Sequence, residues 1–258
     1  MDTDETICRG ITMYTIYVPS KNRTATFTNG CVKFLRDHNV PHILVIEPQD
    51  VEQYLQAGAD KNALLVLDKN DQGESYARNF IFKTSEAKGE PWHWQINDDV
   101  YGFQHRLPKY TKDITPQVAL GIMEREARKY HNVVCIGPEA NYFPPSGRIK
   151  NHGLPSECYL FKKGHGAKFS HIPGFEDITY QLAVLDTGQC ILAMDSIRRK
   201  APATGSNEGG HHETDRGPGL LILKKRWPHV VFNEGGWPGG RINMRWARKF
   251  YKQTPVPK

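Results

Sequence analysis

The sequence predicts an α/β protein in which a mostly parallel sheet is flanked by helices, and three observations lead to that prediction. Apolar runs typical of strands alternate with amphipathic runs typical of helices along most of the chain. This alternation, in which no internal repeat appears, implies a sheet covered on both faces by helices. With 258 residues, the chain could be one large domain or two small ones, and it is long enough to bury a substantial core.

Six apolar runs are predicted strands: MYTIYV (13–18), HILVIEP (42–48), ALLVLD (63–68), WHWQIN (92–97), NVVCIG (132–137) and CILAMD (190–195), with ECYLFKK (157–163) between the last two. Four amphipathic runs are predicted helices: TFTNGCVKFLRDH (26–38), SYARNFIFKTSEAKG (75–89), PQVALGIMEREARKY (116–130) and FEDITYQLAVLDTG (175–188). In the second helix we expect Ser75 to be the N-cap, with Gly89 near the end. Gly188 is expected to end the fourth.

The polar segments that follow the strands are the first candidates for a site. In parallel sheets covered by helices, ligands bind beyond the carboxyl ends of the strands. This rule places PSKNR, EPQ, NDD and the loop after CILAMD on one rim of the sheet.

The composition excludes several classes of protein. The five cysteines, Cys8, Cys31, Cys135, Cys158 and Cys190, are odd in number and never spaced as C-x-x-C, which argues against a disulfide framework or a zinc knuckle. The N-terminal MDTDETICRG has acidic residues where a signal peptide needs positive charge, and no apolar run is long enough for a membrane span. We therefore expect a soluble cytoplasmic protein.

The net charge of +6 is concentrated near the C-terminus, where residues 222–258 hold nine Lys or Arg against one acidic residue. The same segment holds Trp227, Trp237 and Trp246, and cations interleaved with aromatic rings suit phosphate contact and base stacking. The alternative is a solvated tail whose tryptophans pack on the body. We predict a catalytic domain over 1–221, with a mobile loop at 200–219, and a basic C-terminal segment over 222–258.

Phosphate binding, if it occurs, is expected to depend on a metal and side chains. Neither G-x-G-x-x-G nor G-x-x-x-x-G-K-[ST] occurs in the chain, so the common phosphate-binding loops are absent. Asp98 and Asp99 end a predicted strand and offer the hard oxygen ligands that Mg²⁺ or Mn²⁺ takes together with substrate phosphates. A solvated acidic turn is the competing interpretation of this pair.

Cationic groups on the same rim are candidate diphosphate ligands. Ser20, Lys21 and Arg23 follow the first strand, and Arg78 and Asn79 lie in the first turns of a predicted helix, where anions are stabilised. Surface salt bridges are the alternative, more readily for Lys21 than for Arg78, whose neighbours are apolar and aromatic.

Further candidates lie toward the end of the chain. Glu176 and Asp177 begin a predicted helix, where they either stabilise the helix dipole or act as a general base toward an acceptor hydroxyl. His211 and His212 lie in a glycine-rich loop and are candidate metal ligands or simply solvated.

These motifs, taken in order, resemble those of a known family. YVPSKNR, ILVIEPQDVEQY, ARNFIF, WHWQINDDV, FEDITYQLAVLDTGQCILAMD, GSNEGGHH and LKKRWPHVV are similar to motifs of the TET-associated glycosyltransferases, found largely in bacteriophages. The resemblance extends from about Tyr14 to about Arg248. It implies a GT-A-like, Rossmann-type fold and an enzyme that moves a sugar from a nucleotide-sugar, expected to be a UDP-sugar, to 5-hydroxymethylpyrimidines in double-stranded DNA. A phage enzyme of this kind would act in the host cytoplasm.

The resemblance also implies roles for particular positions. Pro19, Ser20, Lys21, Arg23 and Glu47 would line the nucleotide pocket, and Arg78, Asn79 and Asp98 would extend it toward the diphosphate and sugar. Asp98, Asp99 and His211 would hold Mn²⁺ or Mg²⁺, although Val100, next to the acidic pair, departs from the polar residue of several relatives. Asp177, with Glu176, would act as base. DNA contacts are expected from Lys224, Lys225, Arg226, Trp237, Arg241, Arg245 and Trp246.

Two other functions fit parts of the sequence. A nucleotidyltransferase that makes nucleotide-sugars has a similar fold, but PSKNRTATFTNG is a poor match for its glycine-rich signature. A DNA-binding relative without catalysis is the other, and the joint presence of Arg78, Asp98, Asp99, Glu176 and Asp177 argues against it.

Overall fold

The centre of the protein is an eight-stranded sheet with the strand order β3-β2-β1-β4-β9-β7-β10-β8. The computed structural model describes residues 13–107, 110–139, 149–153, 155, 157–172, 175–202, 217–230, 232–233, 241–242 and 251–258. The strands of this sheet are β1 (Ile16–Pro19), β2 (Ile43–Ile46), β3 (Leu64–Val66), β4 (Trp92–Ile96), β7 (Val133–Pro138), β8 (Ile149–Asn151), β9 (Cys158–Lys162) and β10 (Cys190–Met194). Only β8 and β9 run antiparallel to their neighbours within this sheet, so the predicted mostly parallel sheet is confirmed.

Helices cover both faces of the sheet. They are α1 (Thr26–Asn29), α2 (Cys31–Asp37), α3 (Val51–Gln56), α4 (Glu74–Ala87), α5 (Pro116–Ala127), α6 (Glu176–Asp186) and α7 (Gly217–Arg226). Short 3-10 turns occur at Pro48–Asp50 and Lys61–Ala63. Alternate residues of β1 face opposite sides: Ile16 joins a buried cluster with Leu35 of α2, whereas Tyr17 packs with Ile81 of α4.

A second, three-stranded antiparallel sheet was not predicted from the sequence. It consists of β5 (Gly102–Leu107), β6 (Tyr110–Ile114) and β11 (Ile197–Lys200), in the order β11-β5-β6. β5 begins shortly after the acidic pair that follows β4, and β11 begins shortly after β10, so the small sheet extends from the rim. Two further short strands, β12 (Phe232–Asn233) and β13 (Arg241–Ile242), pair with each other.

The predicted first helix is broken in two at Gly30, so the expectation of one continuous helix over 26–38 was wrong. Gly30 has an extended backbone, and the next amide, of Cys31, donates to the carbonyl of Asp98 over 2.9 Å. A Cβ at Gly30 would lie 2.5 Å from that carbonyl oxygen. A glycine is therefore needed where the helix backbone approaches the strand end that carries the acidic pair.

The expected N-cap of α4 was also wrong. Gly73, with φ of 82°, is the N-cap, and Ser75 lies inside the helix with its hydroxyl donating to the carbonyl of Ser170 over 3.1 Å. The predicted end is confirmed, because Gly89 follows the helix with φ of 74°, a conformation that glycine adopts without strain.

The last residues of the chain pack on the body. Asn132 accepts from the amide of Val256 over 2.8 Å, and Lys129 accepts from the amide of Lys258 over 2.9 Å. Trp227 is buried, and its indole donates to Asp186 over 2.7 Å. The packing interpretation of the tail thus holds for Trp227. The division at residue 221 falls within α7 and stays a prediction.

In the part of the chain that the structure describes, none of the helices combines the length and apolar character that a membrane crossing requires.

Candidate functional site

A cavity of about 520 Å³ opens at the carboxyl ends of β1, β2 and β4. Six of the residues predicted to bind nucleotide-sugar lie on its wall: Pro19, Ser20, Lys21, Arg23, Glu47 and Asp98. Val45, Leu67 and Ala77 give one part of the wall an apolar character. The cavity therefore combines a hydrophobic side with convergent charged groups, as small-molecule sites do.

Asp98 links the β1 loop, residues 20–23 directly after β1, to the end of β4. Its Oδ2 accepts from the Ser20 hydroxyl over 2.6 Å, and its Oδ1 accepts from Nη1 of Arg23 over 3.0 Å. The backbone carbonyl of Asp98 accepts from the Thr26 hydroxyl over 2.9 Å. Burial raises the pKa of Asp98, and the Arg23 guanidinium opposes that rise.

The β1 loop is held by residues that sequence reasoning did not select. The amide of Asn22 donates to the buried carboxylate of Asp50 over 3.1 Å, and the amide of Arg23 donates to the Tyr54 hydroxyl over 2.9 Å. The same hydroxyl lies 2.6 Å from the hydroxyl of Ser20. The sequence pattern does not identify Asp50 and Tyr54 as residues of the site, because their contacts form only when α3 packs beside β1.

Asp99 is half-buried next to Asp98. Burial, followed by the negative charges of Glu157 and Asp98, raises the pKa of Asp99 to about 6. Glu157 accepts from Nε of Arg199 over 2.6 Å. Val100 is fully buried in the core, so its side chain takes no part in the rim.

Lys21 and Glu47 form an ion pair in the cavity wall. Nζ of Lys21 lies 3.2 Å from Glu47 and 2.5 Å from Asp71, and Gln49 donates to the other oxygen of Glu47 over 2.7 Å. Glu47 is buried, whereas the Lys21 side chain is about half exposed. The surface-salt-bridge alternative for Lys21 thus describes its pairing in this structure, at a position on the cavity wall.

Arg78 lies behind the cavity wall and is almost fully buried. It donates to the carboxylate of Glu74 over 2.9 Å and to the amide oxygen of Asn97 over 2.6 Å, and both of these partners line the cavity. Its guanidinium also lies 5.0 Å from the centre of the Tyr159 ring. Burial would lower the pKa of Arg78, but the negative charge of Glu74 more than offsets this effect and raises it.

Asn79 holds a neighbouring segment. Its amide nitrogen donates to the carbonyl of Phe169 over 2.9 Å, and its amide oxygen accepts from the Phe169 amide over 3.0 Å. Asn79 does not belong to the cavity wall described above. Its predicted contact with nucleotide stays a prediction.

Glu176 and Asp177 occupy the first two positions of α6, as the sequence predicted. Burial raises the pKa of Asp177 to about 6, and the nearby Arg78 guanidinium opposes this rise. A carboxyl group with a pKa near 6 is mostly ionised at neutral pH and is still basic enough to accept a proton. Asp177 is thus placed in the electrostatic field of Arg78 behind the cavity, and Glu176 lies next to it.

Glu74 is a further candidate that sequence reasoning missed. It lines the cavity, and its side chain remains partly exposed while it pairs with Arg78 one helical turn later. The spacing of four residues on a helix was an available signal for this pair.

Residues in the described ranges form no cluster of three or more His, Cys, Asp or Glu side chains that would hold a metal. His211 and His212 lie outside the described residues. A metal bound by Asp98 and Asp99 would need further ligands, such as substrate phosphates.

Some of the residues expected to contact DNA are described and others are not. Lys224, Lys225 and Arg226 form the last turn of α7, where Arg226 lies 4.5 Å from the centre of the Trp227 ring and donates to the Ser170 hydroxyl over 3.2 Å. Trp237, Arg245 and Trp246 lie outside the described residues, and of Arg241 only the backbone, in β13, is described.

A family model for TET-associated glycosyltransferases matches residues 14–210, about three quarters of the chain. The chain belongs to the TET-associated glycosyltransferase family. It is therefore a glycosyltransferase, and membership supports the expectation of a transferase that uses a nucleotide-sugar. The match ends before the motif LKKRWPHVV (223–231) and so stops short of Arg248. No curated protein sequence matches this glycosyltransferase.

Several solved structures are distantly similar to this glycosyltransferase. One is a mannosyltransferase from Pyrobaculum calidifontis in complex with GDP-Man and Mn²⁺, with 11% identity and a TM-score of 0.45 over 74% of this chain and 59% of that one. The chain thus spans less than two thirds of the mannosyltransferase's length. Others are an apo UDP-glucose pyrophosphorylase (14% identity, TM-score 0.44, 83% of this chain and 100% of that one) and an inositol-1-phosphate CTP transferase from T. maritima (14%, 0.42, 76% and 93%). These likenesses are too distant to bear on activity.

Proposed function

We propose that this glycosyltransferase moves a sugar from a UDP-sugar to the hydroxyl of 5-hydroxymethylcytosine, or a related hydroxymethylpyrimidine, in double-stranded DNA. The observation that carries the proposal is Asp98, a buried carboxylate held by Ser20 and Arg23 on the wall of a cavity at the strand ends. In a member of this family, such a cavity is the natural place for the donor.

The donor nucleotide is assigned to the cavity from its chemistry. The apolar wall of Val45, Leu67 and Ala77 suits the faces of a base. Lys21 and Glu47 place a donor and an acceptor 3.2 Å apart, which matches a carbonyl and the adjacent N3–H of uracil. The same pair also matches O6 and N1–H of guanine, so GDP-sugars belong in the test.

A divalent cation is consistent with the acidic pair. Asp99, whose pKa is raised to about 6 by burial, Glu157 and Asp98, lies where negative charge is in excess, and a cation would relieve it. Both oxygens of Asp98 accept hydrogen bonds from protein groups, so Asp99 fits the metal better than Asp98 does. When bound, Mn²⁺ or Mg²⁺ would stabilise the charge that develops on the leaving diphosphate.

Side chains of the protein supply the remaining functions. Ser20 and Arg23 present a hydroxyl and a cation to the donor's phosphates. The acceptor hydroxyl gives its proton to Asp177 as its oxygen bonds to the anomeric carbon, and the nucleoside diphosphate leaves with the electron pair of the broken bond. Arg78 keeps Asp177 ionised in a buried setting, because its positive charge opposes the rise in the pKa of that carboxyl group.

Nucleoside mass spectrometry tests the proposal. The protein is incubated with Mn²⁺, a panel of UDP- and GDP-sugars, and duplex DNA containing 5-hydroxymethylcytosine or 5-hydroxymethyluracil. A mass increase of one sugar on the modified nucleoside is expected with at least one UDP-sugar. No increase with any donor on either base would refute the proposal.

A variant of the acidic pair, Asp98 and Asp99, tests the metal assignment. With Asp98 and Asp99 both replaced by Asn, DNA binding should survive while sugar transfer disappears. Unchanged transfer would refute the metal assignment.

A further inference from the structure

The small sheet β11-β5-β6 is amphipathic. Residues that pair directly across antiparallel strands point to the same face, so the register separates its two sides. One side carries Phe103 and Ile197, both buried in the core, and Ile114, which packs against the core. This side fixes the small sheet to the body of the protein.

The opposite side faces solvent and is cationic. It carries Arg106, Arg198 and Lys200, of which Arg198 is exposed and the other two are partly exposed. The exposed Asp113 is the one acidic residue on this side, and it accepts from Gln104 over 2.8 Å and from Lys200 over 3.2 Å. This side therefore holds three Lys or Arg against a single acidic residue.

The cationic side lies next to the candidate site. Only Val100 and Tyr101 separate Asp99 from β5, and the amide of Tyr101 donates to the carbonyl of Lys200 over 2.8 Å. Arg199, on the core-facing side of β11, pairs with Glu157, whose charge contributes to the raised pKa of Asp99. A polymer bound along the small sheet would thus run past the acidic pair.

We propose that the solvent face of the small sheet, centred on Arg106, Arg198 and Lys200, contacts the phosphate backbone of the acceptor DNA. The inference rests on the proposed function, since it assumes that the acceptor is a base in duplex DNA. Arg198 and Lys200 are two positions apart on β11, so they share a face and lie about 7 Å apart. They therefore contact separate phosphates. Gln104 and the Thr111 hydroxyl on the same side add neutral donors for phosphate oxygens.

Contact with the DNA phosphate backbone at this position would help to bring the acceptor base into the site. A base whose hydroxyl is the acceptor must leave the stack to reach Asp177, which costs free energy. Contacts between cations and the flanking phosphates offset that cost without reading the sequence. A face whose charged groups lie beside the acidic pair can hold the flanking backbone while the base is turned inward.

The salt dependence of DNA binding tests this surface. Fluorescence anisotropy with a labelled 20-base-pair duplex containing 5-hydroxymethylcytosine is measured from 50 to 300 mM salt for the full-length wild type and for Arg198→Ser. Losing one phosphate contact should weaken binding roughly eightfold at 0.1 M salt and reduce the slope of log K against log salt by about 0.9. Arg198→Glu should weaken binding further, and Arg198→Lys should restore most of the affinity.

Lys61→Ser is the matched control, because Lys61 is an exposed cation beside β3, an edge strand of the main sheet, whereas the small sheet continues from β4 and β10. Its affinity and slope should equal those of the wild type. Thermal melts exclude unfolding as the cause of any loss in the Arg198 variants. An Arg198→Ser variant that binds with wild-type affinity and slope would overturn the proposed surface.

The two proposals fail separately. If the wild type transfers sugar to DNA but Arg198→Ser binds DNA normally, the surface is wrong and the function stands. If the wild type transfers no sugar to any DNA but Arg198→Ser loses affinity with the expected slope, the surface stands and the function is wrong.

Discussion

The guanidinium of Arg23 donates to Oδ1 of Asp98 over 3.0 Å, at a place where the carboxylate is only 6% exposed. The Ser20 hydroxyl donates to Oδ2, the other carboxylate oxygen of Asp98. Asp99, one residue later, is half-buried and receives the negative charges of Glu157 and Asp98, which contribute to raising its pKa to about 6. Two adjacent carboxylates therefore have opposite environments, one compensated by a cation and one surrounded by like charge.

Replacing Asp98 by Asn should lower the stability of the protein. The amide cannot accept hydrogen bonds at both positions, and Arg23 loses its buried counter-charge, so we expect a loss of about 1–3 kcal/mol in the free energy of unfolding. Urea denaturation measures this loss. Asp71→Asn is the control, because Asp71 is exposed and its pairing with Lys21 should contribute little to stability. Equal effects of the two variants would contradict the compensated role of Asp98.

Replacing Asp99 by Asn should have the opposite effect on stability and abolish transfer. Ionised Asp99 is disfavoured by burial and by its acidic neighbours, so a neutral amide of the same shape should raise the free energy of unfolding by about 1–2 kcal/mol. The gain should appear at pH 8 and shrink below pH 6, where Asp99 becomes protonated. Denaturation at both pH values, together with the transfer assay, checks this. A destabilised variant that keeps its activity would show that Asp99 is structural.

A methyl group at Gly30 should displace the acidic pair. The Cβ of Gly30→Ala would lie 2.5 Å from the Asp98 carbonyl oxygen and 2.8 Å from Cα of Thr26, and both are backbone atoms. We expect a loss of about 2–4 kcal/mol, by the combined cost of overpacking and a broken backbone hydrogen bond, and a loss of transfer. Gly164→Ala is the control: its φ of 73° is strained for alanine, but no atom lies near the added carbon. That variant should lose about 1 kcal/mol and keep its activity.

The sheet and the rim could be predicted because their signals are local. Apolar runs mark the strands, and the carboxyl-end rule brings Ser20, Glu47 and Asp98 together without knowledge of any contact. The resemblance to the family supplied what periodicity alone could not, namely the kind of reaction.

The rest depends on contacts between segments distant in the chain. The break at Gly30 follows from the approach of the Asp98 carbonyl, 68 residues later, which no helical pattern reveals. Tyr54 looks like an ordinary amphipathic position until its hydroxyl meets the Ser20 loop. Arg78 was expected on the rim for its charge, yet it lies behind the wall, where Glu74 and Asn97 accept hydrogen bonds from Nε and Nη2 of its guanidinium. The small sheet was not predicted from the sequence because its outer strand, β6, is exposed and polar.

Asn79 should prove to be a structural residue. Its amide both donates to and accepts from the backbone of Phe169, so Asn79→Asp keeps the acceptor and replaces the donor with a carboxylate facing the Phe169 carbonyl. A loss of about 1–3 kcal/mol in stability is expected from the unsatisfied carbonyl and the charge repulsion. The affinity for UDP, measured by calorimetry at a temperature where the variant is folded, should stay unchanged. A large loss of UDP affinity without destabilisation would instead support the nucleotide contact expected from the sequence.

Two buried histidines should make the protein sensitive to acid. Burial, followed by the charge of His165, lowers the pKa of His93 to about 3, and burial lowers the pKa of His165 to about 4. Above pH 6.5 neither the native nor the unfolded chain protonates these groups, so their contribution to stability is complete. As the pH falls toward 4, the unfolded chain takes up protons that the native state excludes, and each histidine removes up to about 1.4 kcal/mol per pH unit.

Asp99 and Asp177 act in the opposite direction, since their native pKa values near 6 lie above the unfolded value and protonation below pH 6 favours the native state. In the pH dependence of the total stability, the effects of the histidines and of the two aspartates therefore partly cancel. The difference in stability between the wild type and a histidine variant isolates the histidine effect. The stability of the wild type minus that of His93→Gln should fall by up to about 1.4 kcal/mol per unit as the pH drops from 6 to 4. Imidazole NMR should show the signal absent from His93→Gln remaining unshifted in the wild type from pH 7 to pH 5. A titration of that signal near pH 6.5 would mean that the ring is open to water, contrary to its buried contacts with Ser85 and Gln95.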